Sequence, residues 1–156
     1  REALNLLSEK DKALLREPLF KIKVPYRWRL SIPKEMQETG LVPIIHGELN
    51  YPEISVAFYP DMVSSPNPEA QVALEHFHSA VQKVGFGIDV SPGRLVYIDN
   101  RYTLHSRDKF TPSHDKTGKP YRWVQRVLIA PDLWNHRNLN QYKERVFTPI
   151  FEETPV

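Results

Sequence analysis

Apolar positions recur along this chain with two different periods, and each change of period marks an element. From residue 68 to 84, Ala70, Ala73, Leu74, Phe77, Ala80, Val81 and Val84 follow at helical spacing, which predicts a helix with one core-facing side. Asn67 is a capping residue ahead of it, Pro68 suits its first turn, and Gly85 ends it. Residues 2–16 predict one or two short helices, with Ser8 and Asp11 as a capping pair before Ala13, Leu14 and Leu15. Elsewhere the period is two. Phe20, Ile22 and Val24 alternate with Lys21 and Lys23, predicting a strand within 19–30, and Ile54, Val56 and Phe58 predict another over 53–59. Between them, Val42 to Ile45 is a short apolar run and HGELNYPE reads as a turn. Short strands are expected at 86–90 and 95–98, and a last one at 121–130. On that last strand Arg122, Val124 and Arg126 share one face, and Trp123, Gln125 and Val127 the other. Many short strands with one long helix predict a mainly β, α+β fold of the jelly-roll or double-stranded β-helix kind.

Composition narrows the function. The 156 residues are one domain's worth of chain, with 14 Pro that break long helices and favour shaped loops. With no Cys, disulfide scaffolds, thiolate metal sites and Cys nucleophiles are excluded. Lys plus Arg is 21 against 19 for Asp plus Glu, a net charge of +2, too balanced to argue for a nucleic-acid or membrane-surface partner. No apolar run approaches the roughly 18 residues of a membrane helix. The opening REALNLLSEKDKALLREPLF has no signal-peptide core, so the expected compartment is cytoplasmic; self-association stays open. The chain begins without Met inside a predicted helix, and a fragment of a longer protein is expected.

The chemistry concentrates in PGRLVYIDNRYTLHSRDKFTPSHDKTGKPYRWVQRVLIA, residues 92–130. A tight turn leads into an apolar strand that ends at Asp99-Asn100, and His105 follows. After a polar loop the next strand carries Arg122 and Arg126 on one face. Arginine turned to an interior implies an anion, and about 13 Å along a strand separates these two, so two different anionic groups are expected. Asp99 and Asn100 read as turn formers. His76 and His78, two apart on a helix, point different ways and cannot chelate together. His114 reads as a solvated loop residue, and His136 carries no signal.

This stretch resembles the C-terminal half of the clavaminate synthase-like iron(II)/2-oxoglutarate oxygenases, which are similar in turn to taurine dioxygenase, and within them the bacterial hydroxylases of free amino acids. The resemblance spans about residues 19–130 and is most specific in 92–130. It implies the C-terminal part of a double-stranded β-helix over 1–130, followed by an arm or tail at 131–156. It implies that His105, in the DNRxxxH segment, is a metal ligand and that Arg122 binds the distal carboxylate of 2-oxoglutarate. Arg126, four residues on, would reach the substrate or the near end of the cosubstrate. The cofactors implied are Fe(II) and 2-oxoglutarate, with O2 and a free amino acid as further partners. The side chains suit those roles: imidazole is a ligand for iron, and guanidinium grips carboxylate bidentately. One departure is the loop from His105 to Arg122, a few residues longer than in several relatives.

Iron needs more protein ligands than His105. His46-Gly47-Glu48 is an HxE, but the family layout places it in a turn between strands, so the remaining ligands are expected in an N-terminal half outside these residues, and the fragment alone is expected to bind no catalytic iron. Lysine is the substrate the resemblance favours among basic amino acids, and Asp108 and Asp115 are candidate partners for its ammonium. Two other readings compete: a metal-free jelly-roll module that binds an anion through the two arginines, and a compact oxygenase built on His46, Glu48 and His105. On the oxygenase reading His105 points inward beside the face carrying Arg122 and Arg126.

Overall fold

A computed structural model describes residues 1–30, 33–130 and 132. The chain divides into two compact units, residues 1–106 and 107–156. The arm expected at 131–156 lies outside the described residues apart from Asp132.

In the first unit the capping signals are used where the sequence places them. Ser8 caps α2 (Glu9–Arg16), accepting from the Asp11 N–H at 3.0 Å, after the single turn of α1 (Glu2–Asn5). Asn67 caps α4 (Pro68–Val84) by accepting from the Ala70 N–H at 3.1 Å, with Pro68 in the first turn where no N–H is needed. Ala70, Ala73, Leu74, Phe77 and Ala80 are buried along one side of α4 and meet Ala3, Leu4, Leu7 and Leu15 of the N-terminal helices. Phe20, Ile44 and Ile45 close the same core from the strand side.

The strands are short ribbons. β1 (Lys21–Ile22) pairs antiparallel with β4 (Val63–Ser64), and β2 (Ile45–Gly47) with β3 (Pro52–Ile54) in the register Ile45↔Ile54, His46↔Glu53. The strand expected within 19–30 stops early because Pro25 has no N–H to continue a ladder, and the chain turns instead into α3 (Tyr26–Arg29). After β3 the alternation persists without a ladder: Ile54, Val56 and Phe58 all lean on the core. HGELNYPE forms the β2–β3 hairpin, with Gly47 at φ +73°.

The coarse α+β character holds, but the expected strand content does not. Among the described residues, 86–90, 95–98 and 121–130 pair with no strand. Their apolar side chains stay in solvent: Leu95 is 89% exposed, Trp123 77% and Val127 81%. A strand owes its stability to neighbours on both sides, and period-two patterning supplies only the side-chain half of that requirement. Among the described residues no helix is long and apolar enough to cross a membrane.

Candidate functional site

The approach to His105 is set by local hydrogen bonding. Asp99 ends the apolar run and folds the chain back: its carbonyl accepts the N–H groups of Tyr102 and Thr103, and its carboxylate accepts the Arg101 N–H, Nε and Nη2 at 3.1, 3.1 and 2.8 Å. The side-chain hydrogen bond from Arg101, and that from its backbone, hold the Asp99 carboxyl below the usual carboxylate range. Asp99 is thus a turn former, as its sequence position implies. The Ile54 N–H donates to the Arg101 carbonyl at 2.9 Å, tying the turn to β3, and Leu104 packs against the core. His105 comes next and is exposed. The expectation that it points inward is therefore not met: the extended segment before it pairs with no strand among the described residues, so no sheet interior exists there to receive it.

In the second unit, what the sequence presents as a polar loop is an ordered hairpin. His114 and Pro120 form an antiparallel bridge, and the Tyr121 N–H donates to the Ser113 carbonyl at 2.9 Å. Asp115 organises the turn. One of its carboxylate oxygens accepts from the Thr117 hydroxyl at 2.7 Å and from the N–H groups of Thr117 and Lys119. Gly118 sits at φ +82°, where a side chain would be strained. The Thr117 hydroxyl, then the Lys119 N–H, hold the Asp115 carboxyl below its ordinary range. These bonds all fall on the same Asp115 oxygen. Arg122 and Arg126 are exposed, and the Arg122 guanidinium lies 4.9 Å from the centroid of the Phe110 ring. Arg107 lies over the same ring at 4.6 Å. Neither Arg107 nor Phe110 was marked by the spacing analysis; the available signal was that Phe110 is the only aromatic residue between 106 and 120.

The residues fit the two implied groups unequally. Among the described residues Arg122 has no carboxylate within ion-pair distance, so its guanidinium suits an incoming carboxylate. Iron is different. Among the described residues no three His, Asp or Glu side chains come together to hold a metal. His46 and Glu48 are not gathered with His105. His46 lies in β2, its Nε2 2.8 Å from the Ser55 hydroxyl and its Nδ1 3.8 Å from Glu53, and Glu48 is in the hairpin turn. The described residues therefore do not by themselves gather an iron site around His105.

The helix histidines diverge as their spacing requires. His76 Nδ1 lies 3.2 Å from Asp11, joining α4 to α2, while the His78 ring stacks on Phe58 at 4.4 Å. Two clefts flank α4, of about 320 Å³ beside His76 and about 280 Å³ beside His78. Neither is lined by His105.

Comparison with known proteins adds identity to this geometry. The family model described as taurine catabolism dioxygenase TauD, TfdA family matches residues 1–128. The L-asparagine oxygenase of Streptomyces coelicolor is 31% identical over 138 residues, covering 88% of this chain and 38% of that protein. Clavaminate synthase 2 of Streptomyces clavuligerus is 31% identical over 85% of this chain and 39% of its own length. The enduracididine beta-hydroxylase of Streptomyces hygroscopicus is 30% identical over 71% of this chain and 31% of its own. The chain thus spans about two fifths or less of the curated relatives it matches.

Proposed function

The chain belongs to the taurine catabolism dioxygenase TauD, TfdA family, and on that premise we propose that residues 1–130 are the C-terminal part of a double-stranded β-helix oxygenase that hydroxylates a free amino acid. The observation that carries the reading is the family match over residues 1–128, which includes His105, Arg122 and Arg126 within the span of similarity. In the whole enzyme 2-oxoglutarate and O2 would be consumed, yielding succinate, carbon dioxide and the hydroxylated amino acid. Fe(II) would be held by His105 together with donors outside this chain. The strands that complete the fold would likewise come from polypeptide outside these residues, in keeping with the fraction of each relative that the chain spans.

Each residue has a task of its own. Arg122 presents two parallel N–H donors to the distal carboxylate of the cosubstrate, a geometry that Lys cannot reproduce. Arg126 offers a fixed cation to an α-carboxylate and so orients a zwitterionic substrate. His105 offers an imidazole nitrogen on a backbone path fixed by Asp99. The substrate proposed is a basic amino acid, lysine first, and the hydroxylase of enduracididine among the relatives is in keeping with that class.

The test uses the full-length enzyme that carries these residues, incubated with Fe(II), 2-oxoglutarate and each of the twenty amino acids while succinate is measured. Turnover is expected with lysine or another basic amino acid. Turnover confined to neutral or acidic amino acids overturns the substrate class. In the same assay Arg122→Gln should raise the KM for 2-oxoglutarate about 10- to 100-fold, the worth of a lost charge-assisted pair. His105→Ala should abolish succinate formation.

A further inference from the structure

Two guanidinium groups share one aromatic ring in the hairpin of the second unit. Arg107 lies 4.6 Å and Arg122 4.9 Å from the Phe110 centroid, which puts them within about 10 Å of each other. We propose that Arg107, Phe110 and Arg122 form a preassembled carboxylate receptor, with Arg107 as a second cation and Phe110 as the positioning residue that holds Arg122. This rests on the reading of Arg122 given above and adds two residues to it.

The hairpin explains how the three meet. His114 faces Pro120, and Ser113 bonds to Tyr121. That closure turns the chain back, and Arg122, two residues past Pro120, returns beside the stretch that carries Phe110. Arg107 precedes Phe110 by three residues and reaches the ring from the same stretch of chain.

Charge then points to the ligand. Two like charges this close repel, and the electron-rich ring face offsets part of that repulsion. Among the described residues neither guanidinium has a carboxylate within ion-pair distance, whereas Arg29 and Arg101 each have one. Asp115, in the same hairpin, is held in its own turn by Thr117 and Lys119 and forms no ion pair with either arginine. Among the described residues, the Arg107 and Arg122 guanidiniums therefore present hydrogen-bond donors and positive charge with no carboxylate paired to them. A carboxylate accepts up to four hydrogen bonds and so serves two guanidiniums at once. The ligand class is a small dicarboxylate gripped by one end.

The experiment titrates the 156-residue chain with glutarate at fixed ionic strength, following the arginine Nε–Hε signals by NMR. Glutarate keeps both carboxylates of 2-oxoglutarate and lacks its metal-chelating oxo group. Saturable binding is expected. Arg107→Gln should weaken it about ten-fold, and Phe110→Leu about three-fold, with Phe110→Tyr restoring it. Lys116→Gln, which removes one charge from the same hairpin, should change affinity less than two-fold. Binding that Arg122→Gln weakens but Arg107→Gln and Phe110→Leu leave alone overturns the receptor and keeps the reading of Arg122. Binding indifferent to Arg122→Gln overturns both. Equal weakening by Lys116→Gln reduces the effect to net charge and overturns the receptor. Absence of saturable binding by the unaltered chain overturns it too, and leaves Arg122 to the full-length assay.

Discussion

Along α4, Ala70, Ala73 and Phe77 lose all contact with solvent, while Leu95, Trp123 and Val127 in the later extended segments keep most of theirs. Both regions are patterned with apolar residues. They differ in what each needs from outside itself. A helix satisfies its own backbone groups and needs one packed face, which α1, α2 and Phe20 supply to α4. An extended segment needs neighbours for its backbone as well as its side chains, and among the described residues the segments at 86–90, 95–98 and 121–130 have no strand beside them. The residues that hold the molecule together and those proposed to do its chemistry therefore lie in different parts of the chain.

The hardest test of that contrast is a pair of aromatic truncations. Phe77→Ala removes a fully buried ring that meets Phe58 edge-on, and should cost about 3–5 kcal/mol in urea unfolding of the chain. Trp123→Ala removes a larger but exposed ring and should stay within about 0.5 kcal/mol. Comparable losses would mean that the later segment is packed after all, and the contrast fails.

A smaller effect sharpens the helical side. Burial pushes the Asp11 carboxyl up, but hydrogen bonds from Ser8 and His76 outweigh it and leave the group below its ordinary range. A depressed carboxyl stabilises the fold above its unfolded value, near 3.9, and that contribution is lost as pH falls through the lower folded value. Asp11→Asn should therefore cost about 1 kcal/mol at pH 7, and the two unfolding curves should converge as the pH falls below the ordinary carboxylate range. A constant difference through that fall would assign the cost to packing and not to charge. Smaller still, Asn67→Ala should cost about 1 kcal/mol or less through the lost cap on α4, with Asn67→Asp near neutral in a thermal melt.

Legibility in the sequence follows the same division. The helix at 68–84, both caps, the turn role of Asp99 and the divergence of His76 from His78 were readable because each depends on residues close in sequence. The strands at 86–90, 95–98 and 121–130 were read from alternation, which reports a preference for a sheet and not the presence of partners. The inward turn of His105 depended on those strands and failed with them. The Arg107–Phe110–Arg122 cluster escaped the spacing analysis because it depends on a hairpin register set by Asp115 and Gly118, inside a stretch whose composition reads as loop. Family resemblance supplied the roles proposed for His105, Arg122 and Arg126, which no periodicity could.

The bond from the Ile54 N–H to the Arg101 carbonyl gives His105 a leash. His105 is four positions on from that anchor, a reach of about 14 Å at full extension, and Leu104, packed on the core, shortens it further. A side chain on so short a tether is present at an effective concentration of about a millimolar or more to anything that docks on the neighbouring surface. A docking surface would meet this histidine without a search, at an entropic cost already met when the core folded. Removing the anchor, as Asp99→Ala would by opening the turn, would leave the imidazole chemically unchanged and dilute it.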